Sequence, residues 1–304
     1  REWDRHMKSV RVLLIFLIVC VTGAVIATWP LLPNISSHLV LTHHNYGTDL
    51  MGALWKTRYY KIRGFSDLLQ NPRLLWYTPH LFAPWGMNQY VLEPHYFHEA
   101  FTPLICFWYV PFPTDYNLYL LLQIIGNGVV LSLSIWFLIK DLRAAVIGGL
   151  ALAVAPYILT DLLAGRTPQG ILWTLPLFVL FYQAWIQKGK RRNLFLSSFF
   201  LALTSFFYLF YGMFMGMAMG IHVLLSLLFQ RKQRKMILKR FLMVTVIFGV
   251  LVLPAIYPFF NAAKTRESIQ GVTIGRLIPF HLPPDLETRS DEIVPVPAML
   301  GENM

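Results

Sequence analysis

Seven long apolar runs constrain this chain more than any other feature of its sequence. A helix that crosses a membrane needs about 20 predominantly apolar residues, because the hydrocarbon core is roughly 30 Å thick. Such runs alternate with short polar links along most of the chain. They cover residues 10–29, 116–139, 144–159, 171–187, 194–211, 213–230 and 236–259. The sequence therefore predicts an all-α, polytopic protein with about seven transmembrane helices.

Composition supports the membrane class. Of the 304 residues, 56% are hydrophobic and only 13% are charged, which differs from the usual composition of soluble domains. The net charge of +11 would indicate nucleic-acid binding in a soluble domain, but here the basic residues lie in short links between apolar runs. We therefore expect no nucleic-acid partner. Cys20 and Cys106 lie in apolar surroundings without metal-site spacing, so neither a disulfide framework nor a zinc site is predicted.

The distribution of basic residues predicts the orientation of the chain. With a cytoplasmic amino terminus and seven crossings, the inner side holds 16 of the 26 Lys and Arg residues but only three of the 15 acids, Glu2, Asp4 and Asp141. Lys and Arg in short links favour the cytoplasmic side. We therefore predict an integral protein of the cell (plasma or inner) membrane, with a cytoplasmic amino terminus and a large outer loop over residues 30–115.

A shorter apolar run over residues 101–112 is predicted not to cross the membrane. It is about a dozen residues long and is bracketed by Pro103, Pro111 and Pro113. Counting it as a crossing would place two strongly basic links outside the cell. A re-entrant or interfacial segment is the preferred interpretation.

The predicted domain organisation is one membrane-embedded module over residues 1–304. It comprises the outer loop 30–115, a helical bundle over 116–259 and an outer tail over 260–304. The first apolar run lacks a small-residue cleavage site and is predicted to be an anchor. The tail has no final helix or closing domain, as expected if the chain is the front part of a longer protein.

The outer loop contains a predicted interfacial helix over residues 49–63. Leu50, Leu54, Trp55 and Tyr59 recur at near-helical spacing, with basic residues between them. This pattern is typical of an amphipathic helix that lies in the membrane interface.

Asp49 at the start of that helix is the first candidate for a catalytic residue. Free backbone N–H groups at a helix start stabilise a carboxylate, which stays ionised and able to accept a proton. The same position suits a helix cap with no chemical role. Both interpretations, general base and cap, fit the sequence.

A second candidate site is the acidic and histidine-rich group Glu93, His95, His98 and Glu99. Imidazole and carboxylate groups bind divalent cations such as Mg²⁺ or Mn²⁺, and they also bond phosphate or sugar hydroxyls. The spacing matches no specific zinc pattern. A polar interface loop whose side chains bond one another is the alternative.

Three cations are candidates for binding a phosphate group. Arg166 follows Gly165 in an outer link, and Arg58 and Lys61 lie in the predicted interfacial helix. A guanidinium presents a planar pair of donors to phosphate oxygens. The alternative is that these long side chains extend toward lipid headgroups.

Alternating methionines and glycines over residues 212–220, at the start of the sixth run, predict close helix packing rather than a ligand site. Gly212, Gly216 and Gly220 recur every four residues between methionines. Small residues at that spacing let neighbouring helices approach closely.

The order of these features resembles the polytopic GT-C fold glycosyltransferases, a class that includes dolichyl-phosphate-mannose mannosyltransferases. In those enzymes a first span leads into a large outer loop with an acidic residue near its start, followed by an amphipathic helix. Here Tyr46-Gly47-Thr48-Asp49-Leu50 occupies that position. Residues 81–88, Leu-Phe-Ala-Pro-Trp-Gly-Met-Asn, are similar to the YPxGxN stretch of bacterial members, and the resemblance extends to about Pro258.

The resemblance implies transfer of a sugar from a polyprenyl-phosphate donor to a lipid, glycan or protein acceptor on the outer face of the membrane. Asp49 is the implied base, and the mechanism would be inverting. The resemblance also implies a second acid, for which Glu93 and Glu99 both qualify. Some members of the family need a metal and others do not. Arg166 stands where many relatives have a Gly-His pair, so its phosphate role departs from the family pattern.

Two other function classes compete with the enzyme. The first is a lipid or glycan transporter, although ionisable residues are nearly absent from the predicted spans and no inverted repeat is visible. The second is a non-catalytic membrane subunit that uses the outer loop to bind a membrane-protein partner. Under all three interpretations, membrane lipids surround the helices.

Overall fold

The computed structural model describes residues 2–29, 31–39, 70, 77–78, 87–88, 109–230 and 233–269. Within these residues the fold is almost entirely α-helical, with one two-residue strand pair. The first part contains helix α1, a short 3₁₀ turn and the two strands: α1 Glu2–Ala27, the 3₁₀ turn Leu32–Asn34, β1 Tyr77–Thr78 and β2 Met87–Asn88. The strands pair antiparallel, with Tyr77 opposite Asn88.

The remaining eight described helices follow one another with short interruptions. They are α2 Thr114–Ile139, α3 Leu142–Ala153, α4 Pro156–Leu163, α5 Thr167–Gly170, α6 Thr174–Lys188, α7 Arg191–Phe207, α8 Leu209–Phe229 and α9 Arg234–Ile269. The prediction of an all-α fold is confirmed at this level.

Five helical segments in the described part are long and apolar enough to cross a membrane. They are Val10–Ala27, Thr114–Ile139, Leu142–Leu163, Leu209–Phe229 and Arg234–Leu253. Helices α6 and α7 have 15 and 17 residues. At 1.5 Å per residue each is about 22–26 Å long, shorter than the roughly 30 Å of a hydrocarbon core. The described helices are thus consistent with a membrane protein, and the count of seven spans stays a prediction.

Two predicted spans differ from the helices in the structure. The span predicted over residues 144–159 is interrupted at Val154 and Ala155, because Pro156 has no N–H and disfavours helical backbone in the preceding residue. The span predicted to begin at Ile171 begins as α6 at Thr174. Residues 171–173 lie outside the helix, and a side chain of α2 bonds the backbone N–H of the middle one.

The chain divides into two compact units, whose ranges do not follow the predicted subdivisions. Unit 1 comprises Arg1–Ala27, Leu122–Ile158 and Pro168–Ala255, and unit 2 comprises Thr28–Leu121, Leu159–Thr167 and Ile256–Met304. The prediction of a single module over residues 1–304 stays a prediction.

Four helices of unit 1 build one hydrophobic core cluster. Helix α6 contributes Phe178, Tyr182 and Trp185, α7 contributes Leu194 and Leu201, α8 contributes Met219 and α9 contributes Val244. Aromatic rings reinforce this packing, since Phe181 and Phe200 stack with centroids 5.6 Å apart.

Small residues let α1, α2 and α3 approach closely in unit 1. A Cβ added to Gly128 of α2 would lie 2.7 Å from Cys20 Sγ and 2.8 Å from Ala153 Cβ. A Cβ added to Gly149 of α3 would overlap Ser132 of α2. Side chains of any size at these positions would therefore separate the helices.

The helices of unit 1 alternate in direction. Gly23, late in α1, faces Leu150, late in α3, so α1 and α3 run in the same direction. Gly148, near the middle of α3, faces Ile135 in the second half of α2, which lies between them in the chain and runs the other way. Thr204 at the end of α7 bonds Thr174 at the start of α6. The ends of α2, α6 and α8 therefore lie at one end of unit 1, and residues 168–173 and 208 lie at the other.

In unit 2, one buried asparagine connects α2 to the segment after α1. Asn117 Nδ2 donates to the carbonyl oxygens of Ile35 and His38, both at 2.8 Å. These bonds give hydrogen-bond donors to two backbone carbonyl groups that follow the 3₁₀ turn and lie outside regular secondary structure.

Candidate functional site

Most of the predicted site residues lie outside the part of the chain that the structure describes. This applies to the candidate base and its interfacial helix, to the acidic and histidine-rich group, and to the two cations of that helix: Asp49, Glu93, His95, His98, Glu99, Arg58 and Lys61. Most of the run over residues 101–112 lies outside it as well. Their roles stay predictions.

Arg166 is the predicted site residue that the structure describes, and it lies in unit 2 beside an acid. Its backbone N–H donates to Asp161 O at 2.8 Å, and its Nη1 lies 3.9 Å from Asp161 Oδ1. The turn is closed by Gly165, whose φ of 80° suits a residue without Cβ. The Arg166 side chain is 41% exposed, whereas that of Asp161 is 5% exposed. The guanidinium is thus half-exposed and pairs with a buried carboxylate that the sequence pattern did not assign to it.

The most extensive polar arrangement in unit 1 surrounds the non-helical residues between α5 and α6. Its centre is Asn127 of α2, which is fully buried. Asn127 Nδ2 donates to Gly170 O at 2.7 Å, and Asn127 Oδ1 accepts from the backbone N–H of Leu172 at 2.8 Å. One amide therefore replaces two hydrogen bonds that a continuous helix would have supplied from its own backbone.

Gln123 lies one turn earlier on the same face of α2. Its Oε1 accepts from Trp173 Nε1 at 3.1 Å. The Trp173 ring meets Phe207 edge to face, with centroids 5.5 Å apart. The spacing of four residues between Gln123 and Asn127 directs both amides toward the same interruption.

Two tyrosines from the junction of α7 and α8 complete the arrangement. Tyr211 Oη donates to Gln169 O at 2.7 Å, and Gln169 Nε2 lies 3.4 Å from Tyr208 Oη. The two tyrosine rings meet edge to face at 4.8 Å. We call Gln123, Asn127, Gln169, Trp173, Tyr208 and Tyr211 the amide–aromatic cluster.

The amide–aromatic cluster has binding chemistry rather than acid–base chemistry. Amides and hydroxyls donate and accept hydrogen bonds, and aromatic rings offer flat apolar faces, a combination common in sites for small polar ligands. None of its members is a carboxylate, a histidine or a cysteine. The cluster can therefore hold and orient a ligand, and a general base would have to come from elsewhere in the chain.

An apolar groove of about 310 Å³ lies beside the cluster in unit 1. Its walls include Leu131 and Ile135 of α2 and Leu175 and Val179 of α6. Leu172 also lines the groove, and it is the residue whose N–H is bonded by Asn127. The groove and the amide–aromatic cluster are therefore contiguous at Leu172.

The opposite end of unit 1 is basic. The described basic residues there follow the ends of α2 and α6 or begin α9: Lys140, Arg143, Lys188, Lys190, Arg191, Arg192, Arg234, Lys235, Lys239 and Arg240. Asp141 is the one acid among the described side chains at this end, and it caps α3 by accepting from the N–H groups of Arg143 and Ala144. This end would attract anions.

His222 is an ionisable residue in the middle of α8 that the sequence analysis missed. Its Nδ1 lies 3.2 Å from Tyr182 Oη, and its Nε2 lies 3.5 Å from Ser226 Oγ. The expectation that ionisable groups are nearly absent from the spans overlooked this residue. The sequence does show a histidine inside a predicted span, since His222 is flanked by mostly apolar residues for many positions on both sides.

The close packing predicted for the glycines of α8 is seen at Gly212, whereas Gly216 and Gly220 have no close neighbour among the described residues. Gly212 lies against Ser205 of α7, as expected for close approach. An added Cβ at Gly216 or Gly220 would meet nothing within 4 Å in the described structure. The four-residue spacing places the three glycines on one side of α8, but among them only Gly212 lies close to α7.

No group of three or more His, Cys, Asp or Glu residues in the described part of the chain is arranged to hold a metal ion. The predicted ligands Glu93, His95, His98 and Glu99 are not in that part, so a divalent cation there stays a prediction.

Comparison with models of known protein families, with curated proteins and with solved structures finds no match to this chain.

Proposed function

We propose that this chain is a membrane glycosyltransferase of the GT-C type. It takes a sugar from a polyprenyl-phosphate donor and transfers it to a lipid, glycan or protein acceptor on the outer face of the membrane. The proposal includes seven transmembrane helices, a cytoplasmic amino terminus and an outer loop over residues 30–115. The motifs near Asp49 and over residues 81–88 motivate the family assignment.

One observation in unit 1 carries the proposal furthest: an apolar groove meets a polar, aromatic cluster at Leu172. A lipid-linked sugar has an apolar chain joined to a strongly polar head. The groove walls suit the chain, because burying hydrocarbon against Leu131, Ile135 and Leu175 requires no polar partner. The cluster suits the head, because its amides and hydroxyls bond polar groups.

The alternation of helix directions supports the proposed topology. It places the basic ends of α2, α6 and α8 on one side, as the positive-inside rule expects for the cytoplasm. The amide–aromatic cluster lies at the other end of unit 1, which under this topology is the outer side. Polar substrates that stay outside the cell would meet that end.

The chemical step is assigned to Asp49. Its carboxylate takes the proton of an acceptor hydroxyl while the hydroxyl oxygen bonds the anomeric carbon of the sugar. The bond between that carbon and the phosphate oxygen breaks, and its electron pair leaves with the polyprenyl phosphate. Attack from the face opposite the leaving group inverts the anomeric carbon. Arg166, Arg58 and Lys61 are the cations assigned to the phosphate.

Glu93, His95, His98 and Glu99 are the residues that would hold a divalent cation, which would supply positive charge for the departing phosphate. The predicted metal can be tested separately from the assignment of Asp49 as the base. If a divalent cation is required, removing it with a chelator would abolish sugar transfer even when Asp49 is intact.

The deciding experiment is transfer from labelled polyprenyl-phosphate sugars in reconstituted membranes. We expect Asp49→Asn to lower the rate at least about 100-fold, since a general base contributes typically 10²–10⁴-fold. Asp141→Asn is the matched control. Asparagine keeps the oxygen that caps α3, so the same chemical change at the basic end should leave transfer unaltered.

The other outcomes separate the alternatives. Normal transfer by Asp49→Asn, with loss in Glu93→Gln or Glu99→Gln, would move the base to one of those glutamates. A well-folded native protein that transfers no sugar from any donor tested would favour the non-catalytic subunit that binds a membrane-protein partner.

The transporter remains a second candidate because of His222. An ionisable side chain in the middle of a membrane helix is often part of a transport or proton pathway. Movement of labelled lipid or glycan across reconstituted membranes, lost in His222→Gln, would support transport and would contradict the enzyme as the main activity.

A further inference from the structure

A groove of about 550 Å³ runs along the first half of α9, away from the amide–aromatic cluster. Lys235, Leu238, Lys239, Leu242 and Val246 line it, together with Met243 and Ile247. These residues recur at intervals of three and four, so they share one face of the helix. The stripe from Lys235 to Val246 is about 17 Å long at 1.5 Å per residue.

Most of this face of α9 points away from the packing of unit 1, and only Ile247 at its edge also packs against the core cluster. Ile237 and Val244 point into the interior and are buried, with Val244 in the core cluster. Leu238, Leu242 and Val246 are exposed. The apolar part of the groove is therefore available to a molecule from the surroundings.

The charged end of the groove lacks an acid. Lys235 and Lys239 lie one turn apart, at a spacing where like charges repel each other. Within the described residues, neither lysine forms an ion pair, and Asp141, the described acid at this end of unit 1, caps α3. Arg234 and Arg240 differ from the two lysines, because they donate to the backbone oxygens of Leu227 and Ile186.

We propose that this groove binds one anionic phospholipid. The phosphate lies between the ammonium groups of Lys235 and Lys239, and an acyl chain lies along Leu238, Leu242 and Val246. Charge complementarity selects an anion, and the exposed apolar stripe selects a ligand with a hydrocarbon tail. Lysine side chains at the boundary of a hydrocarbon layer extend their charged ends toward headgroups in this way.

The proposal is independent of the glycosyltransferase assignment. None of its residues belongs to the amide–aromatic cluster or to the predicted outer loop, so failure of either proposal leaves the other standing.

The test uses the full chain, purified and reconstituted in nanodiscs, with phosphatidylglycerol as the probe and phosphatidylcholine as the neutral reference. Bound lipid is counted by native mass spectrometry during titration. Each lysine near an anionic headgroup contributes roughly a factor of five in affinity. We therefore expect K235Q/K239Q to bind phosphatidylglycerol about 30-fold more weakly, with phosphatidylcholine binding unaltered.

A matched variant controls for the general positive charge of this end. K188Q/K190Q removes two exposed lysines near the end of α6, where they line no part of the groove. It should bind phosphatidylglycerol like the native protein. Equal weakening in both double variants would show diffuse attraction only and would overturn the site.

A second variant tests the acyl chain. Val246→Trp fills the groove while leaving both lysines in place, and it should weaken phosphatidylglycerol binding several-fold. Unaltered lipid binding in this variant, together with full competition by inorganic phosphate, would indicate a phosphate site without a lipid chain and would overturn the proposal. Absence of saturable phosphatidylglycerol binding to the native protein would also overturn it.

Discussion

Asn127 Oδ1 accepts a hydrogen bond of 2.8 Å from the backbone N–H of Leu172, which joins the middle of α2 to the residues just before α6. The same amide donates to Gly170 O at 2.7 Å. The side chain is fully buried, so water cannot take over either bond. The interruption before α6 therefore depends on one residue that lies more than 40 positions earlier in the chain.

We expect Asn127→Leu to destabilise the protein by about 2 kcal/mol or more, because each buried backbone group left without a partner costs about 1–3 kcal/mol. Leucine has the same branched shape and the same number of side-chain heavy atoms, so the loss would not reflect a cavity. The measurement is the midpoint of thermal unfolding of the purified protein in detergent, followed by size-exclusion chromatography.

Ser134→Ala is the control for the Asn127 substitution. Ser134 is buried on the same helix, and its Oγ has no hydrogen-bond partner among the described residues. Removing it should alter stability by no more than about 0.5 kcal/mol. A comparable loss in both variants would contradict the role assigned to Asn127.

Gly149→Ala should destabilise the contact between α2 and α3. The added methyl group would overlap Ser132 and press on the backbone oxygen of Gly128. Overpacking of this kind costs about 1–3 kcal/mol. The same unfolding assay measures it.

Gly216→Ala provides the contrasting substitution in α8. Nothing in the described structure lies within 4 Å of the added methyl group. Since alanine favours a helix over glycine by about 1 kcal/mol, stability should stay the same or rise. A loss at Gly216 as large as that at Gly149 would mean that α8 has a close neighbour at this position.

Arg240→Met should loosen the contact between α9 and the end of α6. The guanidinium donates to Ile186 O and lies 5.5 Å from the centre of the Trp185 ring. Loss of the hydrogen bond and the cation–π contact should cost about 1–3 kcal/mol. Lys188→Met, at an exposed position nearby, should be close to neutral.

The helices were predictable from the sequence because each apolar run is long, and the interruption before Pro156 follows from local backbone rules. The start of α6 at Thr174 was not predictable locally. It depends on Asn127, whose pairing with residues 170–172 exists only after α2 and α6 pack together.

The candidate sites were predictable to different degrees. The pairing of Arg166 with Asp161 joins residues five apart, so inspection of the link could have suggested it. Gln123 and Asn127 also gave a signal, as two amides one turn apart in a mostly apolar run. Sequence patterns could not reveal the tyrosines of the amide–aromatic cluster, because aromatic residues are frequent throughout the chain and only packing selects two of them.

Substitution of His222 distinguishes a glycosyltransferase from a transporter. If the protein is a glycosyltransferase, His222→Phe should leave the rate of sugar transfer unaltered, because His222 bonds Tyr182 and Ser226 within the helices of unit 1. Stability should fall by about 1 kcal/mol, since Tyr182 Oη loses its bond to the imidazole. Tyr182→Phe should produce a similar loss, because it removes the other partner of the same bond. Loss of sugar transfer in His222→Phe with normal folding would assign a functional role to this residue and would contradict a purely structural one.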